Sequence, residues 1–169
     1  MTTRLGRRFF NFLRRTESAF QEYEAARQAT LRFLASPNLE AFSVYIMAVG
    51  HWEVFLSQAY QACCLLYGGQ KTLFKKGDGS VLQRLNLLYN RAKHAEKAIT
   101  SQQFPPDGTL PVWLKNDGLH CVESSLTFDE IAGLLEELAQ CAEEIQDPLA
   151  MYEKNQASAP SASVDASAP

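Results

Sequence analysis

The long apolar segment at residues 39–67 is the feature that most constrains the fold of this chain. Large apolar side chains recur along it at helical spacing, among them Phe42, Leu56 and Leu66, and Gly68-Gly69 then supplies residues that readily take the left-handed backbone of a helix end. A helix of about 28 residues spans roughly 42 Å. Because so long an apolar surface has to be covered by several other helices, the segment predicts a helical bundle.

Two further helical patterns flank this segment, one before it and one after it, and a polar loop precedes the second. The first runs from about Thr16 to Ala35, and Ser36-Pro37-Asn38 ends it. The second runs from Gln83 to Ile99, with apolar residues on one face and basic and amide residues on the other. Asp78 or Ser80 is placed to cap the start of this central basic helix.

The pattern changes in the last third of the chain. Val112-Trp113-Leu114 and Leu119 to Val122 flank Asn116-Asp117-Gly118, which predicts two short strands around a tight turn. Thr127-Phe128-Asp129-Glu130 is a capping-box sequence, in which the Thr hydroxyl and the Glu carboxylate each accept a backbone hydrogen bond. A last helix is therefore predicted from about Phe128, with apolar residues recurring on one face from Ile131 to Ile145.

These elements predict an all-α fold, an antiparallel bundle of about four long helices with a small β-hairpin inserted before the last helix. The predicted organisation is a basic N-terminal arm at 1–15, a helical domain at 16–153 and a disordered tail rich in Ala, Ser and Pro at 154–169. Hydrophobic content of 46% and charged content of 21% are ordinary for a soluble domain, and no apolar run approaches a membrane span. A cytoplasmic location is expected.

Residues 1–15 carry five arginines and no acid, interleaved with phenylalanines and leucines. The interpretation we favour is an arm, or a first helical turn, that packs on the domain. A basic amphipathic start is also typical of a membrane-surface anchor or a transit peptide. A membrane-surface adaptor is therefore a third, weaker functional alternative.

Charge is divided along the rest of the chain. The segment from Lys71 to Lys97 holds seven basic residues against Asp78 and Glu96, whereas 116–153 holds ten acids and no Lys or Arg. Such a division favours a polyanion such as RNA on one surface and repels it from another. The acidic last helix is the predicted contact for a protein partner.

Metal and cofactor chemistry has little support in the sequence. The cysteines, Cys63, Cys64, Cys121 and Cys141, have no C-x-x-C spacing and are expected to be reduced thiols of the core. The three histidines lie on different predicted elements. Phosphate loops, dinucleotide fingerprints, H-E-x-x-H and G-x-S-x-G are all missing, which argues against nucleotide hydrolases and metalloproteases. Neither a metal site nor a cofactor is predicted.

The polar face of the central basic helix carries the side chains best suited to catalysis. Asn90 and Arg91 lie four and three residues before His94, so the three side chains fall within about one helical turn. A histidine there could take a proton from a ribose 2′-hydroxyl, with Arg91 on the adjacent phosphate and Asn90 orienting either group. Three polar residues on one helix face are equally typical of an ordinary solvated surface.

Other residues extend this candidate site. Arg84, Lys93 and Lys97 are the predicted RNA phosphate ligands. Glu53 lies in the middle of the apolar helix, where an ionised group is costly unless it is paired. It is predicted to support the site by pairing with Arg91 or Arg84, or else to lie exposed at the edge of a groove.

A base-stacking role on the predicted hairpin is a further alternative. Trp113 and His120 could stack on a base. Trp113 is otherwise expected in the core.

The chain resembles the HEPN superfamily in two short motifs. These are Trp52-Glu53-Val54-Phe55-Leu56 on the long apolar helix and Asn90-Arg91-Ala92-Lys93-His94 on the basic helix. The resemblance extends over 16–146 as architecture. It implies a compact helical bundle, usually dimeric, and many members are metal-independent endoribonucleases of toxin, antiviral or RNA-processing systems.

The resemblance implies His94 as base, Arg91 on the phosphate and Asn90 as the polar neighbour. The Arg91 to His94 spacing is atypically short, with two residues between them, and Asn90 precedes the arginine instead of following it. The predicted function is that of an RNA-binding homodimer. If the chain is catalytic, the predicted activity is that of a metal-independent endoribonuclease. The alternative is a non-catalytic protein interaction module, antitoxin-like or adaptor, of the kind that retains the bundle without the active spacing.

Overall fold

The computed structural model describes residues 4–35, 40–68, 73–75, 77–101 and 110–147. Along these ranges the order of elements is α1 (Arg4–Ala35), α2 (Glu40–Tyr67), α3 (Val81–Lys93), α4 (Ala95–Thr100), β1 (Trp113–Lys115), β2 (Gly118–His120), β3 (Ser125–Thr127) and α5 (Phe128–Gln146). The predicted tail at 154–169 lies outside the described residues. The described chain is mainly helical and carries one small antiparallel sheet.

Helices α1 and α2 form an antiparallel pair along most of their length. Their contacts pair the start of one helix with the end of the other: Arg8 Nη2 to Leu66 O at 2.8 Å, Arg15 Nη1 to Gln58 Oε1 at 2.8 Å, Glu22 Oε2 to His51 Nδ1 at 2.8 Å and Trp52 Nε1 to Thr30 Oγ1 at 3.1 Å. Small residues of α1, Ala19, Ala26 and Ala29, are buried in the structure. Side chains this small allow two helix backbones to approach closely.

Helix α1 begins at Arg4, not near Thr16, so the predicted arm is part of the helix. Two contacts explain the difference. Phe12 is fully buried in the core, and the Arg8 guanidinium donates to the carbonyls of Leu65 and Leu66. The last carbonyls of a helix have no partner within it, so a cation there is favourable. The N-terminal turns therefore hold the end of α2.

The main core lies where α1, α2, α3, α5 and the sheet meet. Trp52 is 1% exposed. Its ring contacts those of Tyr23, Phe55 and Phe128 at centroid distances of 5.6–5.7 Å. The largest fully buried side chains are Trp52, Phe12, Phe55, Leu56, Leu85, Leu88, Leu119, Leu126, Ile131 and Leu138. The predicted apolar face of the last helix is confirmed, because Ile131, Leu134, Leu135, Leu138 and Ala142 are all buried.

Large apolar side chains are exposed at the C-terminal end of α1 and at the N-terminal end of α2. Phe42 and Ile46, which the helical spacing places with the other apolar residues of α2, are exposed. Leu31 and Leu34 of α1 are exposed as well. Spacing identified the apolar stripe of each helix, but the remaining helices do not extend far enough to cover its end.

The sheet has three strands where two were predicted. Lys115 pairs with Gly118 across the two-residue Asn116-Asp117 turn, which confirms the hairpin, and β3 adds to the other edge of β2. The third strand was missed because its three residues run directly into the capping box of α5. Thr127 both ends β3 and caps α5, where Thr127 Oγ1 accepts from Glu130 N at 3.1 Å and Glu130 Oε2 accepts from Thr127 N at 3.0 Å.

The central basic helix, predicted as one helix to Ile99, is broken at His94. The backbone of His94 has φ −109° and ψ 32°, and α4 follows from Ala95. Leu85 and Leu88 are buried on α3, whereas Ile99 is exposed on α4. None of the described side chains of α4 belongs to the buried core, so packing does not hold the helix straight beyond Lys93.

Candidate functional site

Helix α3 is fixed at its start by the predicted caps. Ser80 Oγ accepts from Gln83 N at 3.1 Å, and Asp78 Oδ1 accepts from Ser80 N at 2.9 Å. The Ser80 N–H holds the pKa of the Asp78 carboxyl below its usual value. Buried Leu85 and Leu88 then orient α3 against the core, which turns its polar face outward.

Arg84 lies in a structural contact instead of an open phosphate site. Its Nη1 donates to Glu130 Oε2 at 2.9 Å and to Ser125 O at 3.1 Å, and its Nη2 also contacts the Glu130 carboxylate. This paired arrangement lowers the pKa of Glu130. A guanidinium held by two carboxylate contacts is already matched to an anion, so Arg84 joins α3 to α5.

Arg91 is held in the same way by a carboxylate that was not part of the predicted site. Its Nε donates to Glu123 Oε2 at 2.6 Å, and its Nη2 contacts Glu123 Oε1. Glu123 lies in the connection between β2 and β3. Because the acidic last third of the chain folds against α3, the two arginines bind Glu123 and Glu130, and the predicted pairing of Glu53 with either arginine is not formed.

Asn90 and His94 are arranged separately from that ion pair. Asn90 Nδ2 donates to Asn86 O and to Asn86 Oδ1, both at 2.8 Å, so its amide is used within α3. His94 is exposed at the break between the helices, and its side chain does not cap α4. The three residues of the predicted catalytic group therefore share one end of α3, but two of them have their own structural partners.

Three exposed basic side chains lie around the helix break, and we call Lys93, His94 and Lys97 the α3–α4 corner. Lys93 Nζ lies 5.6 Å from the centroid of the Tyr89 ring. An ammonium at this distance from an aromatic face is attracted by the ring. The corner is thus cationic and adjacent to an aromatic side chain.

An open cavity of about 340 Å³ lies between α2 and α3, directly beside this corner. Its lining comes from two helical stripes, Gly50, Glu53, Val54 and Ser57 of α2 and Tyr89, Ala92 and Lys93 of α3. Sequence reasoning missed this cavity. The sequence signal that could have indicated it is Gly50, a residue without a side chain inside an apolar helix, one turn before the charged Glu53.

Glu53 is the residue of α2 that brings a carboxylate to the lining of the cavity. Its side chain is partly buried, and it forms no hydrogen bond or ion pair with any residue in the described ranges. Burial raises the pKa of the Glu53 carboxyl. The structure meets neither predicted alternative in full: Glu53 lies at the edge of a groove, but it is partly buried and not exposed.

An aromatic stack forms the wall behind the cavity. The ring centroids of Tyr60 and Tyr89 are 4.0 Å apart and nearly parallel, and Phe74 lies 4.8 Å from Tyr60 on its other side. Stacked rings of this kind restrict the movement of Tyr89. Lys93 therefore rests on a rigid surface.

Trp113 and His120, the predicted base-stacking residues, lie opposite each other on β1 and β2. His120 Nε2 lies 2.8 Å from Asp117 Oδ1, a contact that lowers the pKa of Asp117. Trp113 is partly exposed opposite His120, so the expectation of a core tryptophan at this position was wrong. The buried tryptophan is Trp52.

A second cavity of about 520 Å³ lies between α1 and α5. Phe10, Leu13 and Phe20 form much of its apolar lining. Thr16 also lines the cavity, and its buried hydroxyl has no hydrogen-bond partner among the residues that the structure describes. None of the predicted site residues lies here.

The four cysteines are free, and Cys63 and Cys121 are buried. Across the described ranges, no three His, Cys, Asp or Glu side chains are placed together as metal ligands. None of the helices in those ranges has a stretch long and apolar enough to cross a membrane. Comparison with protein-family models, with curated proteins and with solved structures gave no match in any of the three.

Proposed function

We propose that this chain binds single-stranded RNA at the α3–α4 corner and does not cleave it. The observation that carries the proposal is the grouping of Lys93, His94 and Lys97 as exposed side chains at one helix break. Lysines at such spacing contact successive phosphates, and the adjacent Tyr89 gives the surface an aromatic component typical of single-strand binders.

The charges elsewhere on the surface support the same orientation of RNA. On α5 the exposed carboxylates are Asp129, Glu136, Glu137 and Glu143. They repel a polyanion from that helix. A polyanion is therefore expected to approach from a face other than that of α5.

The partners of Arg91 and Asn90 favour binding over cleavage. Arg91 was predicted to hold the reacting phosphate during cleavage through a ribose 2′-hydroxyl. Arg91 instead binds the Glu123 carboxylate through two nitrogens, and Asn90 bonds to Asn86. The proposal therefore places the chain with HEPN-like proteins that retain the helical architecture without the nuclease reaction.

Binding is tested by fluorescence polarisation with a labelled oligouridine over a range of salt concentrations. Lys93→Ala with Lys97→Ala is expected to weaken binding about tenfold and to reduce the salt slope by about 1.4, since each phosphate contact on a single strand contributes about 0.7. Lys75→Ala with Lys115→Ala removes two other exposed lysines and is the matched control. Equal losses in the two variants, or no binding by the parent chain, would overturn the proposal.

The absence of cleavage is tested in EDTA with the same oligonucleotide. The parent chain is expected to leave it intact. Cleavage that disappears in an Arg91→Ala and His94→Ala variant would instead establish the metal-independent endoribonuclease. Cleavage that survives this variant belongs to a contaminant and leaves the binding proposal standing.

A protein interaction module is the second candidate, and the uncovered ends of α1 and α2 favour it. Leu34 is 69% exposed and Phe42 is 70% exposed, next to exposed Leu31, Ile46 and Met47. Grouped apolar side chains of this kind mark protein contacts. A homodimer through this end would bury them.

Sedimentation equilibrium tests the homodimer. Leu34→Glu with Phe42→Glu is expected to convert a dimer to a monomer, whereas Ile99→Glu with Val122→Glu, which alters two exposed apolar residues elsewhere, is expected to leave it unchanged. A parent chain that is monomeric at high concentration would contradict a homodimer.

A further inference from the structure

The carboxylate of Glu53 lines the cavity between α2 and α3. We infer that this cavity is a pocket for a guanine base, whose N1–H and N2–H donate to the Glu53 carboxylate. The inference rests on the proposed function, because it assigns a base preference to the RNA that the α3–α4 corner would bind. It concerns a different group of atoms from the phosphate contacts, so the two can be tested separately.

The chemistry of Glu53 selects guanine among the four bases. An ionised carboxylate only accepts hydrogen bonds, and guanine presents two adjacent donors on its Watson–Crick edge. Uracil presents one donor between two carbonyl acceptors, and adenine and cytosine each place an acceptor beside their amino group. Glu53 has no partner in the described ranges, and burial raises the pKa of its carboxyl. Two donors from a ligand would supply the hydrogen bonds that this partly buried carboxylate lacks.

The shape of the cavity suits a flat ligand. Its volume of about 340 Å³ is within the range of small-molecule pockets. Gly50 contributes no side chain, and a Cβ built at that position would meet no atom within 4 Å. Ala92 on the opposite helix is also small, so both helices leave open space beside Glu53.

The pocket is continuous with the phosphate surface. Lys93 lines the cavity and also belongs to the α3–α4 corner. A nucleotide with its base beside Glu53 can therefore place its phosphate near Lys93. Tyr89, which also lines the cavity, stacks on Tyr60 with ring centroids 4.0 Å apart and lies 5.6 Å from Lys93 Nζ.

The experiment compares three short oligonucleotides by fluorescence polarisation. One is oligouridine, one carries a single central guanosine, and one carries inosine at that position. Inosine retains the N1–H of guanosine and lacks its N2 amino group. The guanosine oligonucleotide is expected to bind the parent chain about tenfold more tightly than oligouridine, which is the effect of a hydrogen bond to a charged group. The inosine oligonucleotide is expected between them.

Two variants and one matched control identify the pocket. Gly50→Leu fills the cavity without changing charge, and Glu53→Gln replaces one acceptor oxygen by a donor. Both are expected to lose the guanosine preference and retain binding to oligouridine. Gly133→Leu is the control, because Gly133 is also a helical glycine with no atom within 4 Å of a built Cβ. Leucine has the higher helix propensity, so both glycine variants are expected to fold.

The outcomes separate the inference from the proposed function. Binding to oligouridine without a guanosine preference overturns the pocket and leaves the RNA proposal. A preference that Gly50→Leu and Glu53→Gln both retain also overturns the pocket. If oligouridine does not bind, titration with free guanosine decides: binding that Gly50→Leu abolishes supports the pocket alone, and no binding overturns both.

Discussion

Gly118 illustrates how a single residue can be fixed by a neighbouring backbone. It begins β2 and pairs with Lys115 on one side and Thr127 on the other. A Cβ at this position would overlap the carbonyl oxygen of Leu126 and press on the Cα of Thr127. The approach of β3 to β2 therefore requires glycine.

Gly118→Ala is expected to lower the free energy of unfolding by about 3 kcal/mol, because the overlap involves backbone atoms that cannot move independently. Gly133→Ala is the control and is expected to raise it by about 0.5–1 kcal/mol, because Gly133 lies inside α5 with no atom within 4 Å of a built Cβ. Urea denaturation followed by circular dichroism measures both. A Gly118→Ala chain as stable as the parent would contradict the close packing of β2 and β3.

At this scale the sequence identified side chains but not their partners. Helical spacing placed Arg91 away from the apolar stripe of α3, and Arg84 was predicted to bind phosphate. Their carboxylate partners, Glu130 and Glu123, are 46 and 32 residues away along the chain. No local pattern encodes which distant carboxylate meets which arginine, so Glu53 was expected in their place.

At the scale of elements, Glu130 joins three of them. Its carboxylate completes the capping box of α5, accepts from the backbone of Thr127 at the end of β3 and binds Arg84 of α3. The hydrogen bond from Arg84 is the largest cause of the lowered pKa of Glu130. The stability of the joint is therefore linked to pH.

Glu130→Gln is expected to lower the free energy of unfolding by about 2 kcal/mol at neutral pH, the order of a hydrogen bond to a charged group. A carboxyl whose folded pKa is lowered contributes stability above its unfolded pKa, ordinarily 4.5, and loses it as pH falls through the folded pKa. The difference between variant and parent is thus expected to disappear in acid.

Denaturation at a series of pH values measures this difference. Glu136→Gln, at an exposed position of α5, is the matched control and is expected to change little at any pH. A Glu130→Gln deficit that stays constant into acid would show that charge is not its cause.

Elements were predictable where their signals are local. The capping box of α5 was predicted and is confirmed. Of the two residues predicted to cap α3, Ser80 is the N-cap, and the turn predicted at Asn116-Asp117-Gly118 is present with Gly118 already in β2. The start of α1 depends on its contact with the end of α2, and the break at His94 depends on where the core ends. Such boundaries follow from tertiary packing, which the sequence pattern does not contain.

At the scale of the whole molecule, the buried residues of α2 extend from Ala48 to Cys63. Cys63 is fully buried there, and burial raises the pKa of its thiol to about 12. Cys141 on α5 is only partly buried. The reactivity of the two thiols thus measures how far the molecule opens.

In a chain that retains Cys63 alone, with serine at the other three positions, alkylation at mildly alkaline pH is expected only at the rate of global unfolding. The matched chain that retains Cys141 alone is expected to react much faster, because its thiol is reached without global unfolding. Mass spectrometry follows both reactions. Equal rates in native buffer would contradict the packing around Cys63.

The two tryptophans give this protein an optical signal for each of its parts. Trp52 is enclosed by aromatic rings in the core, whereas Trp113 is partly exposed on the sheet. In a Trp113→Phe chain the fluorescence comes from Trp52 alone, so its emission is blue-shifted in the folded state and moves to longer wavelength on unfolding. Trp113 in turn reports on the sheet in a Trp52→Phe chain, so the order in which core and sheet unfold can be observed without an added dye.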